Sequence, residues 1–599
     1  MTRVMKRLVV GIVALTACTS STVNNPGSTA VVPAGGRTWA DSVLASLSLR
    51  DKAAQMVWPT VLGDYTSGDS PQWQRLTDYI RKDKVGGFTI SVGSPTEVAS
   101  KLNALQEMST VPLVFGADLE AGAGFRARGG YFIPNAIDLG GAAVFPPEMA
   151  IGATGDTTLA FEQGRLTAIE GRALGIHIAY APVLDVNNNP ANPVINTRSY
   201  GEDPALAARL GSAFIRGVQT NGMIATGKHF PGHGDTGTNS HLALPVVTVS
   251  RNRLDSVELV PFRAAVNSGV GAIMSFHGAM PALDSSGVPG TLSQKVLTDL
   301  LRNELKFRGI IISDAMDMQG VLTQYGAVEA VKRAVAAGVD ILIQPLNVTQ
   351  TIDAVVAGVT EGRYTEARIN ESVRRILNAK QELGLNRKKL VSLDSLRFIV
   401  GDSSHTAMAR RIADRSITLV KDSLTQVPLG ASGNARVLSI TVGRRTDLSA
   451  GVAFNGELRG AVKNLRAEFL AAEDPAADYG RLERAADSAD VTIVSSYVGQ
   501  NWDAVSASAP QAFASFIQRL VTKGKHPVVI SFGNPYLLQQ IPWVSTYVVA
   551  WGGFPPSQIA AARALAGAQP ITGKLPISIP LEGQTVMRGT GIQRSAGAR

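Results

Sequence analysis

One cysteine in 599 residues excludes an intramolecular disulfide, so the fold rests on non-covalent packing alone. No stretch reaches eighteen consecutive apolar residues, and no segment is expected to span a bilayer. Dense Lys/Arg runs are missing as well: the formal charge of +9 is diffuse, with Arg3, Lys6 and Arg7 in the first seven residues. That reads as a solvated basic surface, and nucleic acid is not an expected partner. The 60 glycines and 30 prolines follow no Gly-X-Y period, which excludes collagen, and no repeat of solenoid length appears. What the chain does have is 45% hydrophobic and 18% charged residues, the balance of a globular protein, over a length that suits two or three domains.

The lone cysteine has a context. Met1–Arg7 is short and basic, Leu8–Leu15 is apolar but too short to span, and Leu15-Thr16-Ala17-Cys18 follows at once. The pattern resembles a bacterial lipobox, which implies that a signal peptide (1–17) is removed and that the Cys18 thiol carries a diacylglyceryl group. An unrelated Cys beside an ordinary signal peptide is the alternative. Residues 18–36 read as the anchor and a flexible tether. Thr19 in place of Asp leans, by the same resemblance, toward the periplasmic side of the outer membrane. Contact with the membrane is expected through the lipid anchor only.

From residue 37 to 385, short β-branched runs alternate with helical patterns, which predicts parallel βα units. The predicted strands are Gln55–Thr60, Val85–Ile90, Pro112–Asp118, Ile176–Asp185, Ile224–His229, Ala272–His277, Gly309–Asp314 and Asp340–Gln344. Helices are predicted between them, at Thr96–Met108, Thr157–Leu174, Ala205–Thr220 and Ser293–Glu304. Eight strands over this length match an α/β fold of the (β/α)8, TIM-barrel type, with a doubly wound sheet as the alternative. Chemically capable residues recur at the strand ends: Asp118, Asp185, Lys228-His229, His277, Asp314 and Gln344. In a barrel those ends converge on one face, where active sites of this architecture lie.

Residues 386–404 read as a linker, and 405–599 as a second α/β sandwich domain. Its strands are expected at Ile417–Val420, Val437–Val442, Val491–Tyr497, Pro527–Phe532 and Tyr547–Trp551, and its helices at Leu458–Phe469, Ala509–Thr522 and Ser557–Ala566. Asp503, after Trp502, reads as a surface residue, with a place facing a sugar as the alternative.

Three of the seven histidines fall between His229 and His241. His229 and His233 have the spacing of a zinc pair on a helix, but Pro231, Gly232 and Gly234 forbid that helix. A metal-binding loop stays open as a reading. A phosphate loop lacks its Gly-Lys-Ser/Thr ending, and Ser313 lacks the glycines of a nucleophile elbow. A glycine-hinged loop rooted at Lys228 can carry His241 over the barrel mouth, opposite Asp314. A carboxylate facing a mobile proton donor is the minimum set for cleaving a glycosidic bond through a covalent intermediate.

The stretch Lys228–His241 resembles the signature loop of the β-N-acetylglucosaminidase (β-hexosaminidase) branch of family-3 glycoside hydrolases, in its two-domain lipoprotein form. Ala117–Arg126, Ala181–Val186, Asn192–Ile195, Arg198–Pro204, Ile312–Asp314 and Gly573–Ser578 are similar to other segments of that family. The resemblance implies Asp314 as nucleophile, His241 as acid/base, and Asp118, Arg126, Arg198, Lys228 and His229 as sugar-binding positions, with a salt-bridge network as the alternative for the two arginines. His233 and Asp185 are expected to hold the loop and strand. No metal or organic cofactor is implied, and a monomer acting on an amino-sugar glycan is expected.

One departure stands out. Where the branch usually has Asp two residues before the acid/base His, this chain has Asn239. An amide accepts the imidazole hydrogen bond but supplies no charge, so His241 is expected to lose its proton at lower pH than in relatives with Asp. The expected activity is retaining exo-hydrolysis of terminal β-linked N-acetylhexosamine from peptidoglycan or chitin-type fragments. A β-glucosidase, a phosphorolytic relative and a non-catalytic wall-binding lipoprotein are the alternatives.

Overall fold

The computed structural model describes residues 38–128, 140–429, 434–472, 476–498 and 508–597. The expected signal peptide, Cys18, the tether, Trp502 and Asp503 lie outside these residues.

The first strand, β1, runs as Val57–Trp58 and Thr60–Val61, interrupted at Pro59, which has no N–H to give to a ladder. Its first half pairs in parallel with Leu342–Ile343 (β8) and its second with Gly87–Ile90 (β2). Parallel pairing then continues through Val114–Ala117 (β3), Ile178–Ala179 (β4), Ile224–Phe230 (β5), Ala272–Ser275 (β6) and Ile310–Ile312 (β7). A bridge between Ile312 and Ile341 joins β7 to β8, and the ring closes. These strands are buried on both faces, which is why they read as apolar runs without alternation.

Helices lie between the strands as the sequence predicts, for example Pro95–Met108, Thr157–Ala173 and Pro204–Gln219. Each opens on a side-chain cap (Ser94, Asp156, Asp203) that accepts a first-turn N–H, and two carry Pro at the first helical position. Lys295–Glu304 winds as a π-helix.

The second layer is a six-stranded sheet: Thr418–Asp422 (β9), Arg436–Gly443 (β10), Asn464–Ala471 (β11), Val491–Ser496 (β12), Val528–Ser531 (β13) and Thr546–Val549 (β14). Their order is β9-β14-β13-β12-β10-β11, with β9 antiparallel and the rest parallel. Helices Val452–Ala461, Gln511–Thr522 and Pro555–Leu565 belong to this layer.

One sequence expectation fails here. Of the expected helix Leu458–Phe469 only Leu458–Ala461 is helical, as the end of helix Val452–Ala461, and β11 begins at Asn464. Leu, Arg, Ala and Glu favour helix locally, but eight consecutive parallel partners, Arg436↔Asn464 to Gly443↔Ala471, outweigh a preference of a few tenths of a kcal/mol per residue. The stretch read as a linker also has structure of its own. Helix Leu393–Ile399 buries Leu396, helix Ser403–Ser416 starts within the stretch, and Val391 exchanges two hydrogen bonds with the Asn103 side chain.

Candidate active site

The carboxyl ends of the barrel strands surround a cavity of about 750 Å³. Asp118 follows β3 directly, Lys228 and His229 lie within β5, Asp314 is two residues past β7, and Gln344 follows β8. Asp185 lies beyond the end of β4 at Ala179, on a stretch that still bridges β5 at Val183 and Lys228.

An ionic lattice forms one wall. Lys228 is buried, and its Nζ donates to Asp118 Oδ1 at 2.8 Å and stands 2.7 Å from Glu120 Oε1. Arg126 donates to Asp118 Oδ2, while Arg198 grips Glu120 through Nε at 2.8 Å and Nη2 at 2.7 Å. Burial works against ionising Asp118, but the charges of Lys228 and Arg126 outweigh it and hold the carboxyl far below its usual range. Burial likewise opposes Glu120, which Arg198 and Lys228 bring down to about 2. Lys228 stays protonated because the two carboxylates outweigh its desolvation.

Asp185 organises the root of the loop. It accepts the His233 N–H at 2.7 Å and the His229 N–H at 3.2 Å, and its Oδ2 is 2.7 Å from His229 Nδ1. His233 is locked between Thr236 Oγ1 (2.8 Å) and Ser240 Oγ (3.0 Å), and burial lowers its pKa to about 3. Each of the three histidines has a protein partner on its Nδ1: Asp185 for His229, Thr236 for His233 and Asn239 for His241. Among the described residues, no group of three or more His, Cys, Asp or Glu is placed to hold a metal.

His241 and Asp314 line the same cavity. Asn239 Oδ1 lies 2.9 Å from both the His241 backbone N and Nδ1, which fixes Nδ1–H as donor and leaves Nε2 to exchange a proton. Burial lowers the His241 pKa, with Asp314 acting in the opposite sense. Asp314 Oδ1 accepts the Ala315 N–H at 2.8 Å. Burial pushes its pKa up, and the surrounding His229, His277 and His241 bring it below the ordinary value. His277 accepts from Thr291 and donates through Nε2 to the Ala315 carbonyl at 2.9 Å, so it steadies the peptide that holds Asp314.

All five expected sugar-binding residues thus meet at one cavity, together with Asp314 and His241. Sequence reasoning missed three features. Glu120, two residues past Asp118, was legible as part of the same acidic segment. Glu148 gave no signal; it is buried in the cavity wall, both oxygens are 3.1 Å from the Val183 N–H, and burial beside Glu120 keeps its pKa well above normal. The third is a wall from the second layer, including Asp447, Tyr497, Trp551 and Phe554.

Comparison with known proteins places this geometry. The profile described as "Glycosyl hydrolase family 3 N terminal domain" matches residues 48–379. A β-N-acetylglucosaminidase/β-glucosidase of Cellulomonas fimi is 30% identical over 567 residues, covering 90% of this chain and 96% of the relative. A β-hexosaminidase of Thiobacillus denitrificans is 34% identical over 274 residues, covering 45% of this chain and 73% of the relative. The solved family-3 β-N-acetylglucosaminidase of Paenibacillus sp. FPU-7 superposes with a TM-score of 0.78 at 32% identity, over 89% of this chain and 99% of that one. A profile that spans the barrel and a relative matched almost end to end make this chain a member of glycosyl hydrolase family 3, and a glycoside hydrolase.

Proposed function

We propose that this chain is a retaining exo-β-N-acetylglucosaminidase. The observation that carries the reading is the pairing of His241, held by Asn239, with Asp314 in one cavity beside an ionic lattice suited to sugar hydroxyls. A hydroxyl both donates and accepts, so it can bridge a lattice carboxylate and its cation.

Asp314 Oδ1 is engaged by Ala315, which assigns Oδ2 to attack the anomeric carbon. As that C–O bond forms, the glycosidic C–O bond breaks and the proton on His241 Nε2 passes to the leaving oxygen. The ester then hydrolyses: His241 Nε2 takes a proton from water, the resulting hydroxide oxygen bonds to the anomeric carbon, and Asp314 departs as carboxylate.

The wider setting belongs to the same proposal. Cys18 carries the lipid, the chain faces the periplasm as a monomer, the barrel domain is 37–385 and the second domain 405–599, and the substrates are peptidoglycan or chitin-type fragments. The sequence features at Met1–Thr19 support the anchor. The test is release of aryl alcohol from aryl β-N-acetylglucosaminide and aryl β-glucoside by the chain from Thr19 onward, with and without Asp314→Ala. Asp314-dependent release from the acetamido sugar is expected. Preference for the glucoside would transfer the assignment to the second activity in the Cellulomonas relative's name, and no release from either would favour a wall-binding protein.

A further inference from the structure

Gln344, at the end of β8, belongs neither to the ionic lattice nor to the reacting pair. It stands at φ +50°, a left-handed backbone that a residue with a side chain adopts at a cost, and Pro345 follows, whose ring favours an extended residue before it. Its N–H is held by the Trp58 carbonyl at 3.0 Å. Gln344 lines the cavity, and among the described residues its carboxamide has no hydrogen-bond partner. Strain kept at a cavity-lining residue whose side chain is uncommitted points to a ligand group.

Its place narrows what that group can be. Ile343 N–H donates to Ser313 Oγ at 3.1 Å and Met316 N–H to the Ile343 carbonyl at 3.0 Å, so the end of β8 runs beside the segment that carries Asp314. On the other flank, His277 Nε2 holds the Ala315 carbonyl. The lattice lies across the ring, at the ends of β3 to β5. A pyranose with C1 at Asp314 and its remote hydroxyls in the lattice therefore keeps its C2 substituent, one bond from the carbon attacked, on the side where Gln344 stands. Met274 and Ile343, both buried, line the cavity from the strands either side of β7 and suit a methyl group. Other donors are spoken for: Lys228, Arg126 and Arg198 bond the lattice carboxylates, and Arg444, which reaches the cavity from the second layer, is itself engaged. Asp447, beside it, can only accept.

We infer that Gln344 reads the acetamido group at C2: its Nε2–H donates to the acetamido oxygen, with Ile343 and Met274 against the methyl. This rests on the function proposed above and names the residue that separates an N-acetylglucosaminide from a glucoside. A C2 hydroxyl stops short of that carboxamide and leaves its donor unmatched.

The test compares aryl β-N-acetylglucosaminide with aryl β-glucoside, which share a leaving group and differ only at C2. Gln344→Met keeps the length of the side chain and loses its polar atoms. Gln344→Asn tolerates the left-handed backbone and withdraws the amide by one methylene. In both, the ratio of kcat/KM for the acetamido sugar over the glucoside is expected to fall roughly tenfold. Equal losses on both sugars, as a merely structural residue would give, or an unchanged ratio, would overturn the inference. Binding gives a readout independent of turnover. In the Asp314→Ala chain, calorimetry should find N-acetylglucosamine roughly tenfold tighter than glucose, and adding Gln344→Asn should remove most of that difference. If wild type hydrolyses neither sugar but the Gln344-dependent difference is present, the proposed function fails and the role of Gln344 stands. If wild type prefers the acetamido sugar and the difference survives Gln344→Asn, the function stands and the role of Gln344 fails. No difference in binding defeats that role whatever the turnover.

Discussion

Replacing Asn239 by Asp puts a negative charge where a neutral amide oxygen now sits, 2.9 Å from His241 Nδ1. His241 is shifted down by burial, with Asp314 opposing the shift and a neutral amide on its Nδ1. A carboxylate at hydrogen-bond distance raises the pKa of a partner imidazole by about 1–2 units, since the effective dielectric at a partly buried site is well below that of water. The first chemical step needs His241 protonated, so activity falls as pH rises through its pKa. Raising that pKa moves the alkaline limb of kcat/KM upward by the same 1–2 units. The acid limb, governed by Asp314, lies below the ordinary carboxylate value of 3.8 and moves little. The assay is the pH profile of kcat/KM on an aryl N-acetylglucosaminide for both chains. A wild-type alkaline limb above the ordinary imidazole value of 6.5, or a limb that stays put in Asn239→Asp, would refute the reasoning.

Asp314→Ala should lower kcat by about 10⁴-fold or more while the melting temperature holds, as for removal of a nucleophile elsewhere. Lys228→Met leaves the part-buried Asp118 and the buried Glu120 with one shared cation gone, and a loss of about 3–5 kcal/mol in denaturant unfolding is expected. Glu148 holds its proton in the folded chain at pH values where an unfolded Glu, at 4.5, has lost it. The folded state then binds more protons, and its stability falls as pH rises from 4.5 toward the folded pKa. Glu148→Gln removes that slope, so its melting temperature should gain on wild type with rising pH. Cys18→Ser should move the protein from the membrane fraction to the soluble one.

The barrel was legible because a parallel strand buried on both faces has to be apolar throughout, and a polar residue where such a strand ends stands out. Asp118 and Asp314 were visible for that reason. The limits of Ile176–Asp185 were not, because the regular strand is only Ile178–Ala179 while a buried apolar run keeps irregular contact with β5 as far as Val183 and Leu184. β11 was hidden for the opposite reason. As an edge strand it keeps Arg466, Glu468 and other helix-favouring residues toward solvent, and only its ladder with β10 reveals it. Glu148 and the wall at Asp447 and Phe554 are contributed by segments distant in sequence from the strand ends they approach, so no local pattern marks them.

The ionic lattice explains why so many charges share one cavity without disrupting it. Arg126, Arg198 and Lys228 carry three positive charges against two on Asp118 and Glu120, and Glu148 stays neutral. Ionising Glu148 as well would add a third anion beside Glu120, and its one partner, the Val183 N–H, would compensate that poorly. The pairing within the lattice leaves the ionisation of Asp314 to the histidines around it, His229, His277 and His241. It also means that the lattice needs no rearrangement when an uncharged sugar arrives. Hydroxyls take up positions between cations and carboxylates already fixed by one another, and the cost of ordering those long side chains has been met in folding rather than at binding.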